Sequence, residues 1–197
     1  ISDGDVTVGS TLDLGPGGVL SLSGGTLRAG TLHTADGGIF ALTGGDVYLT
    51  HAIGDLTNAG GVLHPGSSPG ILDIAGDYVQ EADGWLDIEI GGLVRGAEYD
   101  ALDVMGTLAL DGGLRVTLID GFVPSAGHVF QVLSSEGPLS GSFASIELPP
   151  LDDPLLVWYR DALYTDGTLS VGLVPEPATV ALVGLGLVVL RRRRRQK

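Results

Sequence analysis

The sequence predicts a mostly β protein: a parallel β-solenoid with additional capping strands, followed by one C-terminal transmembrane helix. Three observations predict this fold class. Residues 17–27 (GGVLSLSGGTL) match residues 37–47 (GGIFALTGGDV) in pattern at an offset of 20 positions. Apolar and polar residues alternate through much of the chain, which is typical of half-buried strands. An uncharged run at residues 178–190 precedes five consecutive arginines, so we divide the chain into a body, residues 1–172, and a C-terminal segment, residues 173–197.

The 20-residue repeat favours a solenoid because each coil of such a fold stacks its apolar positions on those of the next coil. We expect Leu20 and Leu22 to stack under Phe40 and Leu42, and a looser third copy begins at Gly60. Paired glycines supply the positive φ angles of tight corners. Antiparallel hairpins also use Gly-Gly and Asp-Gly turns. Equal spacing and similar residues at matched positions favour the solenoid over hairpins for at least residues 10–75.

Later strands are predicted by cleaner alternation. The expected inward residues of three one-sided strands are Leu86, Ile88, Ile90, Leu102, Val104, Leu114, Val116 and Leu118, with Asp87, Glu89, Asp103, Arg115 and Thr117 outward. Two closing strands, residues 156–158 and 168–171, are expected to cap the open end of the solenoid, where backbone groups would otherwise lack partners.

Residues 58–72 (NAGGVLHPGSSPGIL) and 74–78 (IAGDY) resemble the terminal coils of autotransporter passenger domains. The similarity covers about Gly54 to Phe143 and implies a right-handed parallel β-helix. The ten-residue alternating strands of a translocator barrel are not found downstream, so the resemblance does not extend to self-export.

The C-terminal segment has the features of a membrane anchor. Thirteen helical residues rise roughly 20 Å against about 30 Å of hydrocarbon, but arginine side chains that reach the headgroups lengthen the effective span. The positive-inside rule then places Lys197 in the cytoplasm and the body outside. The predicted transmembrane residues are Ala178, Val180, Leu182, Val183, Leu185, Leu187, Val188, Val189 and Leu190. The predicted stop-transfer residues are Arg191, Arg192, Arg193, Arg194 and Arg195.

Pro175, Glu176 and Pro177, followed by a short apolar run and a terminal arginine cluster, resemble the PEP-CTERM sorting signal of Gram-negative bacteria. The resemblance implies recognition of these three residues by an inner-membrane exosortase, which removes the tail as the protein moves to the surface. It implies no activity for the body. Export also requires a secretion signal, which we expect to precede Ile1.

Composition limits the possible partners. The formal net charge is −14, and six of the ten basic residues lie in the C-terminal segment, so the body has only Arg28, Arg95, Arg115 and Arg160. Such an acidic body disfavours nucleic acid and anionic lipids. The absence of cysteine excludes disulfides, thiolate metal sites and a cysteine nucleophile.

No catalytic, cofactor or metal site is expected. Histidines 33, 51, 64 and 128 share no metal-binding spacing and are interpreted as exposed loop residues. Ser67 and Ser68 lack the context of a nucleophile elbow and indicate a turn. Acidic residues beside glycine indicate turns more than calcium, because the tandem nonapeptide of calcium-binding coils is missing; these are Asp36, Asp46, Asp83, Asp111 and Asp166. The aromatic residues Tyr78, Trp85 and Trp158 are expected in the core rather than stacked on sugars.

We therefore expect an exported surface or extracellular-matrix protein with a structural or adhesive role and no enzymatic activity. Its expected partners are exosortase, the inner membrane and an extracellular polysaccharide. The alternative is a surface module that binds or degrades glycans. Three or more ionisable side chains converging in a groove would favour an enzyme, and a row of exposed aromatic residues would favour glycan binding.

Overall fold

The computed structural model describes residues 1–175, which form strands and no helix. Fourteen strands make one curled, parallel sheet, and the other three make a small antiparallel sheet. The strands are β1 Asp5–Asp13, β2 Val19–His33, β3 Ile39–Ile53, β4 Leu56–Asn58, β5 Val62–Pro65, β6 Ile71–Ile74, β7 Tyr78–Gln80, β8 Trp85–Ile90, β9 Ala101–Val104, β10 Leu108–Leu110, β11 Gly113–Leu118, β12 Val129–Gln131, β13 Leu133–Ser135, β14 Leu139–Gly141, β15 Ser145–Glu147, β16 Leu156–Tyr159 and β17 Thr168–Leu173. The predicted transmembrane helix, the arginine cluster, Glu176 and Pro177 lie outside the described residues.

The first three strands stack in parallel, in the register that the repeat predicts. Leu20 pairs with Phe40 and Leu22 with Leu42, so the predicted stacking is confirmed. β1 pairs with β2 in the same direction. The alternative of antiparallel hairpins is therefore wrong for this part of the chain.

Beyond β3 the chain divides into three columns of parallel strands, each starting on a different section of β3. The first column is β4, β7, β10 and β14. The second is β5, β8, β11 and β15. The third is β6, β9 and β13. From β4 to β11, consecutive strands belong to successive columns of the curled sheet, and after β12 the same order resumes with β13, β14 and β15.

Inward-facing side chains form continuous apolar rows across the strands. In one row, Leu27, Val47, Leu63, Leu86 and Leu114 occupy paired positions and are all 0% exposed. Burying each such side chain contributes about 1.5–3 kcal/mol. The inward positions predicted for β8, β9 and β11 are confirmed, except that Leu118 is only partly buried.

The paired glycines adopt the predicted positive φ angles but lie inside the long strands β2 and β3, and do not separate shorter ones. Gly25 and Gly45 have φ angles of 69° and 76° and lie where the register between β2 and β3 shifts. They also stack on each other, since a Cβ atom on Gly45 would lie 2.5 Å from the carbonyl oxygen of Gly25. No side chain fits at this corner.

Two buried amides hold the corners between the first and second columns. Asn58 and Gln80 are 0% and 2% exposed and occupy paired positions on β4 and β7. Asn58 Oδ1 accepts from the backbone nitrogens of Gly60 and Gly61, and its Nδ2 donates to the carbonyl oxygen of Trp85. Gln80 Nε2 reaches three carbonyl oxygens on the next corners. Each amide therefore serves backbone groups that the turning chain leaves unpaired.

The antiparallel sheet packs on the last strands of the curled sheet. Its order is β12, β17, β16, and the two predicted closing strands correspond to β16 and β17. Phe130, Leu169 and Val171 from this sheet belong to the same hydrophobic cluster as the columns. Within residues 1–175, no helix is long and apolar enough to cross a membrane.

Candidate functional site

The body is fixed firmly up to the point where the C-terminal segment begins. β17 ends at Leu173, and the backbone nitrogen of Val174 donates to the carbonyl oxygen of Leu155 over 2.8 Å. The Tyr159 hydroxyl donates to the carbonyl oxygen of Leu173 over 2.7 Å. Pro175 is the last described residue, so the predicted motif begins directly after the last tethered residue.

Outward side chains of the second column form a continuous row, which we call the ladder: Arg28, Tyr48, His64, Asp87, Arg115 and Glu147. The Arg28 guanidinium carbon lies 3.6 Å from the Tyr48 ring centroid, and the Tyr48 and His64 rings stack with centroids 4.2 Å apart. His64 Nδ1 lies 3.7 Å from Asp87 Oδ2. Arg115 then bridges Asp87 and Glu147. The ladder therefore links neighbouring strands through their side chains.

At the centre of the ladder, the ionisable side chains interact mainly with one another. The His64 side chain is 13% exposed, and its Nε2 lies 3.0 Å from Asp46 Oδ1. Burial raises the pKa of the Asp87 carboxyl, and the nearby His64 and Arg115 lower it in part. Asp87 Oδ1 is buried and has no hydrogen-bond partner among the described residues. These groups contact one another across neighbouring strands.

A cavity of about 370 Å³ opens beside the Arg28 end of the ladder. Its wall carries Arg28 and Tyr48, and its hydroxyl groups come from Thr7, Thr50 and Ser67. Its remaining lining residues are Val8, Gly9, Ala29, Gly30 and Gly66. Arg28 takes part in none of the ion pairs found within residues 1–175, whereas Arg95 and Arg115 both do. The Tyr48 ring thus orients one face of the Arg28 guanidinium, and the N–H groups at the edge of the guanidinium face the cavity.

A second cavity, of about 600 Å³, lies over the third column. His51, Asp73, Asp103 and Glu136 line it. This cavity therefore contains at least three ionisable side chains, which is the arrangement that would favour an enzyme. Arg95 Nη1 and Nη2 bind the two oxygens of Asp103 at 2.9 and 2.5 Å, and His51 Nδ1 lies 3.3 Å from Asp73 Oδ2, so three of these four side chains are already in contact with a partner of opposite type.

The remaining candidate residues are placed as follows. The interpretation of the histidines as exposed loop residues is wrong for three of them: His33, His51 and His64 lie on strands, each beside an aspartate of a neighbouring strand. The 20-residue offset places Asp13 opposite His33, so this pair could have been found from the sequence. Asp73 and Asp87 lie 22 and 23 positions after their histidines, so the repeat does not predict these pairs. Ser67 and Ser68 lie in the turn after β5, as predicted, and Ser68 Oγ donates to Glu89.

The aromatic residues divide between core and surface. Tyr78 is fully buried and Trp158 packs on Phe130, as expected for core residues. Trp85 is instead partly exposed under Arg115, whose guanidinium carbon is 4.8 Å from its ring. In the part of the chain that the structure covers, no three His, Asp or Glu side chains are grouped closely enough to hold a metal ion.

Comparisons with known proteins assign the C-terminal segment. No curated protein and no solved structure matches the chain. Residues 173–195 match the model of the PEP-CTERM protein-sorting motif. This match begins at Leu173, the residue where β17 ends. The chain therefore carries a PEP-CTERM protein-sorting motif at residues 173–195, and this motif implies exosortase-dependent export to the cell surface.

Proposed function

We propose that this protein is a surface or extracellular-matrix component whose body has a structural or adhesive role and performs no catalysis. The observation that carries the proposal is the sorting motif at residues 173–195, joined without a flexible spacer to a firmly hydrogen-bonded body. The motif directs the chain to the surface. The body is then a stiff, acidic domain at the cell surface.

We propose further that residues 178–190 form a transmembrane helix that holds the protein in the inner membrane during export. The uncharged run and the flanking arginines support this, and the positive-inside rule places the C-terminus in the cytoplasm. Exosortase then acts at Pro175, Glu176 and Pro177. The two prolines keep this stretch extended and present one carboxylate at a defined depth.

For the body, we propose a right-handed β-solenoid of the autotransporter-passenger type. The three parallel columns and the repeated order of their strands support it, since parallel crossovers are right-handed in nearly all proteins. A solenoid is a rod whose coils contact only their neighbours. The ladder and the stacked glycines reinforce those contacts, which favours a mechanical role.

The sorting step is tested by changing Pro175, Glu176 and Pro177 to alanine in a host that carries the exosortase. We expect uncleaved protein to accumulate in the inner membrane, because insertion needs the apolar run and arginines but not the motif. Cell fractionation and immunoblotting measure this. A matched control changes the exposed Asp152 and Pro154 to alanine and is expected to reach the surface normally. Equal surface release by the motif variant and the parent would show that the Pro-Glu-Pro motif acts only as a linker.

A second candidate function is glycan binding, favoured by the cavity beside Arg28. Its volume of about 370 Å³ is within the range of about 300–1,000 Å³ typical of small-molecule sites. Hydroxyl groups and a guanidinium without an acidic partner suit a sugar unit that carries a carboxylate, since guanidinium binds carboxylate through paired hydrogen bonds. The ligand class we propose is therefore a short oligouronate.

Calorimetric titration of the full chain with trigalacturonate tests this candidate. Arg28→Gln is expected to weaken binding at least about tenfold, the loss expected for a charge-assisted pair. Gly9→Val should also block binding, because a Cβ atom at Gly9 meets nothing within 4 Å and the side chain would occupy the cavity. Arg160→Gln removes the same charge elsewhere and serves as the control. Equal affinity for neutral galactotriose would rule out the uronate.

A further inference from the structure

The end of the body from which the C-terminal segment leaves carries exposed apolar side chains. Leu155, Leu173 and Val174 are 64%, 64% and 48% exposed. They are neighbours, because Val174 is hydrogen-bonded to Leu155 and Leu173 is paired with Leu156. We call these three residues the basal patch.

An apolar groove extends the basal patch along β16. The groove has a volume of about 360 Å³ and is lined mainly by apolar side chains, with one charged residue, Arg160; the apolar residues are Leu148, Pro149, Pro150, Leu151, Leu156, Val157 and Trp158. Trp158 Nε1 donates to the carbonyl oxygen of Pro149, so the indole is partnered while its ring remains half-exposed. Tryptophan with one polar and one apolar side is the residue type enriched at membrane interfaces.

The length of the connection determines what this surface faces. Val174 is the last tethered residue, and the apolar run begins four positions later at Ala178. Four residues span at most roughly 14 Å even when fully extended. While residues 178–190 are inserted, the basal patch must therefore lie within that distance of the hydrocarbon. The headgroup region is only about 5–8 Å thick on each side, so the connection keeps the patch in this region or directly next to it.

We propose that the basal patch rests in the bilayer interface during export and holds the Pro-Glu-Pro motif against the membrane surface. This inference rests on the proposed membrane insertion of residues 178–190. Its partner is an uncharged lipid surface, because the exposed Asp152, Asp153 and Asp161 outnumber Arg160 in the same region and would be repelled by anionic headgroups. The body then holds the Pro-Glu-Pro motif at one depth relative to the bilayer, where a membrane-embedded enzyme can reach the motif.

The chain contains no cysteine, so single-cysteine variants give unambiguous labels. Leu155→Cys, Leu173→Cys, Gly184→Cys and, as a control at the far end of the stack, Val19→Cys are each labelled with an environment-sensitive fluorophore. Val19 is 66% exposed, which matches the exposure of the patch residues. The full chain is reconstituted in phosphatidylcholine nanodiscs with and without a lipid-borne quencher. We expect roughly twofold quenching at positions 155, 173 and 184 and none at 19, because interfacial residues sit only about 5–10 Å deep.

The four labelled positions distinguish a failure of the membrane-insertion proposal from a failure of the patch inference. Quenching at 184 without quenching at 155 and 173 would overturn the patch inference and leave insertion intact. No quenching at 184 would overturn insertion and the inference together. Inserting a dozen Gly and Ser residues between Val174 and Pro175 should keep quenching at 184 and reduce it at 155. An undiminished signal at 155 in that lengthened chain would refute the role of the short connection.

Discussion

At the scale of single residues, Asp100 is the buried carboxyl with the clearest consequence. Its side chain is 2% exposed, and its oxygens accept from the backbone nitrogens of Gly70 and Glu89 over 2.6 and 2.8 Å. It thereby joins the turn after β5 to β8. Burial raises the pKa of Asp100 to about 7, against the two hydrogen bonds that lower it, and the carboxylates of Glu89 and Asp87 raise it further.

A carboxyl whose pKa is higher in the folded state stabilises the fold below its unfolded pKa, and the effect is lost as pH rises through the folded pKa. Asp100 therefore predicts a body that loses stability between about pH 4 and pH 7. Asp87 contributes in the same direction, whereas the lowered pKa of Asp77 acts oppositely at lower pH. Thermal unfolding at pH 5 and pH 8 should show a smaller pH difference for Asp100→Asn than for the parent. The exposed Asp152→Asn is the control, and an unchanged difference in Asp100→Asn would contradict the assignment.

Residue roles in the core were predictable from the sequence where they follow from the repeat or from the alternation of apolar and polar residues. The inward leucines were found because apolar residues recur at fixed positions. Asn58 and Gln80 were not, since a polar residue in a short strand ordinarily indicates the surface. Their burial depends on the corner that they close, which appears only when β4 and β7 are placed side by side. The histidine–aspartate contacts were missed for the same reason, because they join different coils.

At the scale of elements, the stacked glycines are the feature that the two long strands depend on most. Gly45→Ala would place an alanine at a backbone φ of 76°. Its Cβ atom would lie 2.5 Å from the carbonyl oxygen of Gly25. The backbone conformation alone costs about 1–3 kcal/mol, and the clash adds to it. Urea unfolding should show at least that loss. Gly9→Ala on β1 is the matched control, since its Cβ would meet nothing, and a similar loss in both variants would argue against stacking as the cause.

Strand prediction succeeded where alternation was long and failed where it was short. β2 and β3 have 15 residues each, and their matched spacing identified both strands and their register. β12 and β14 have three residues each and lie between glycine and proline, so no periodicity marked them. Residues 148–151, which precede β16, form part of the groove beside the basal patch. Pocket geometry of that kind depends on tertiary packing and has no sequence period.

At the scale of the whole molecule, the two parts of the chain differ in what determines them. The C-terminal sorting motif was identifiable from sequence because a sorting signal is a short contiguous pattern. The body's candidate surfaces were not, because the ladder, the cavity beside Arg28 and the cavity over the third column each combine residues from three or more strands. Their chemistry arises from stacking coils, and a different register would give different rows.

The charge of the body leads to a prediction about the complete fold. Of the 24 acidic residues only Glu176 follows residue 175, so the described body has 23 carboxylates and four arginines, a formal charge of −19. Such a charge destabilises a compact state by self-repulsion. Salt shortens the screening length from about 30 Å at 0.01 M to about 3 Å at 1 M, so added sodium chloride should raise the melting temperature of the full chain at pH 7. The matched control is Arg115→Gln, which breaks the contacts to Asp87 and Glu147 and should make the salt effect larger. A melting temperature that falls with salt would instead mean that the cross-strand ion pairs outweigh the repulsion between carboxylates.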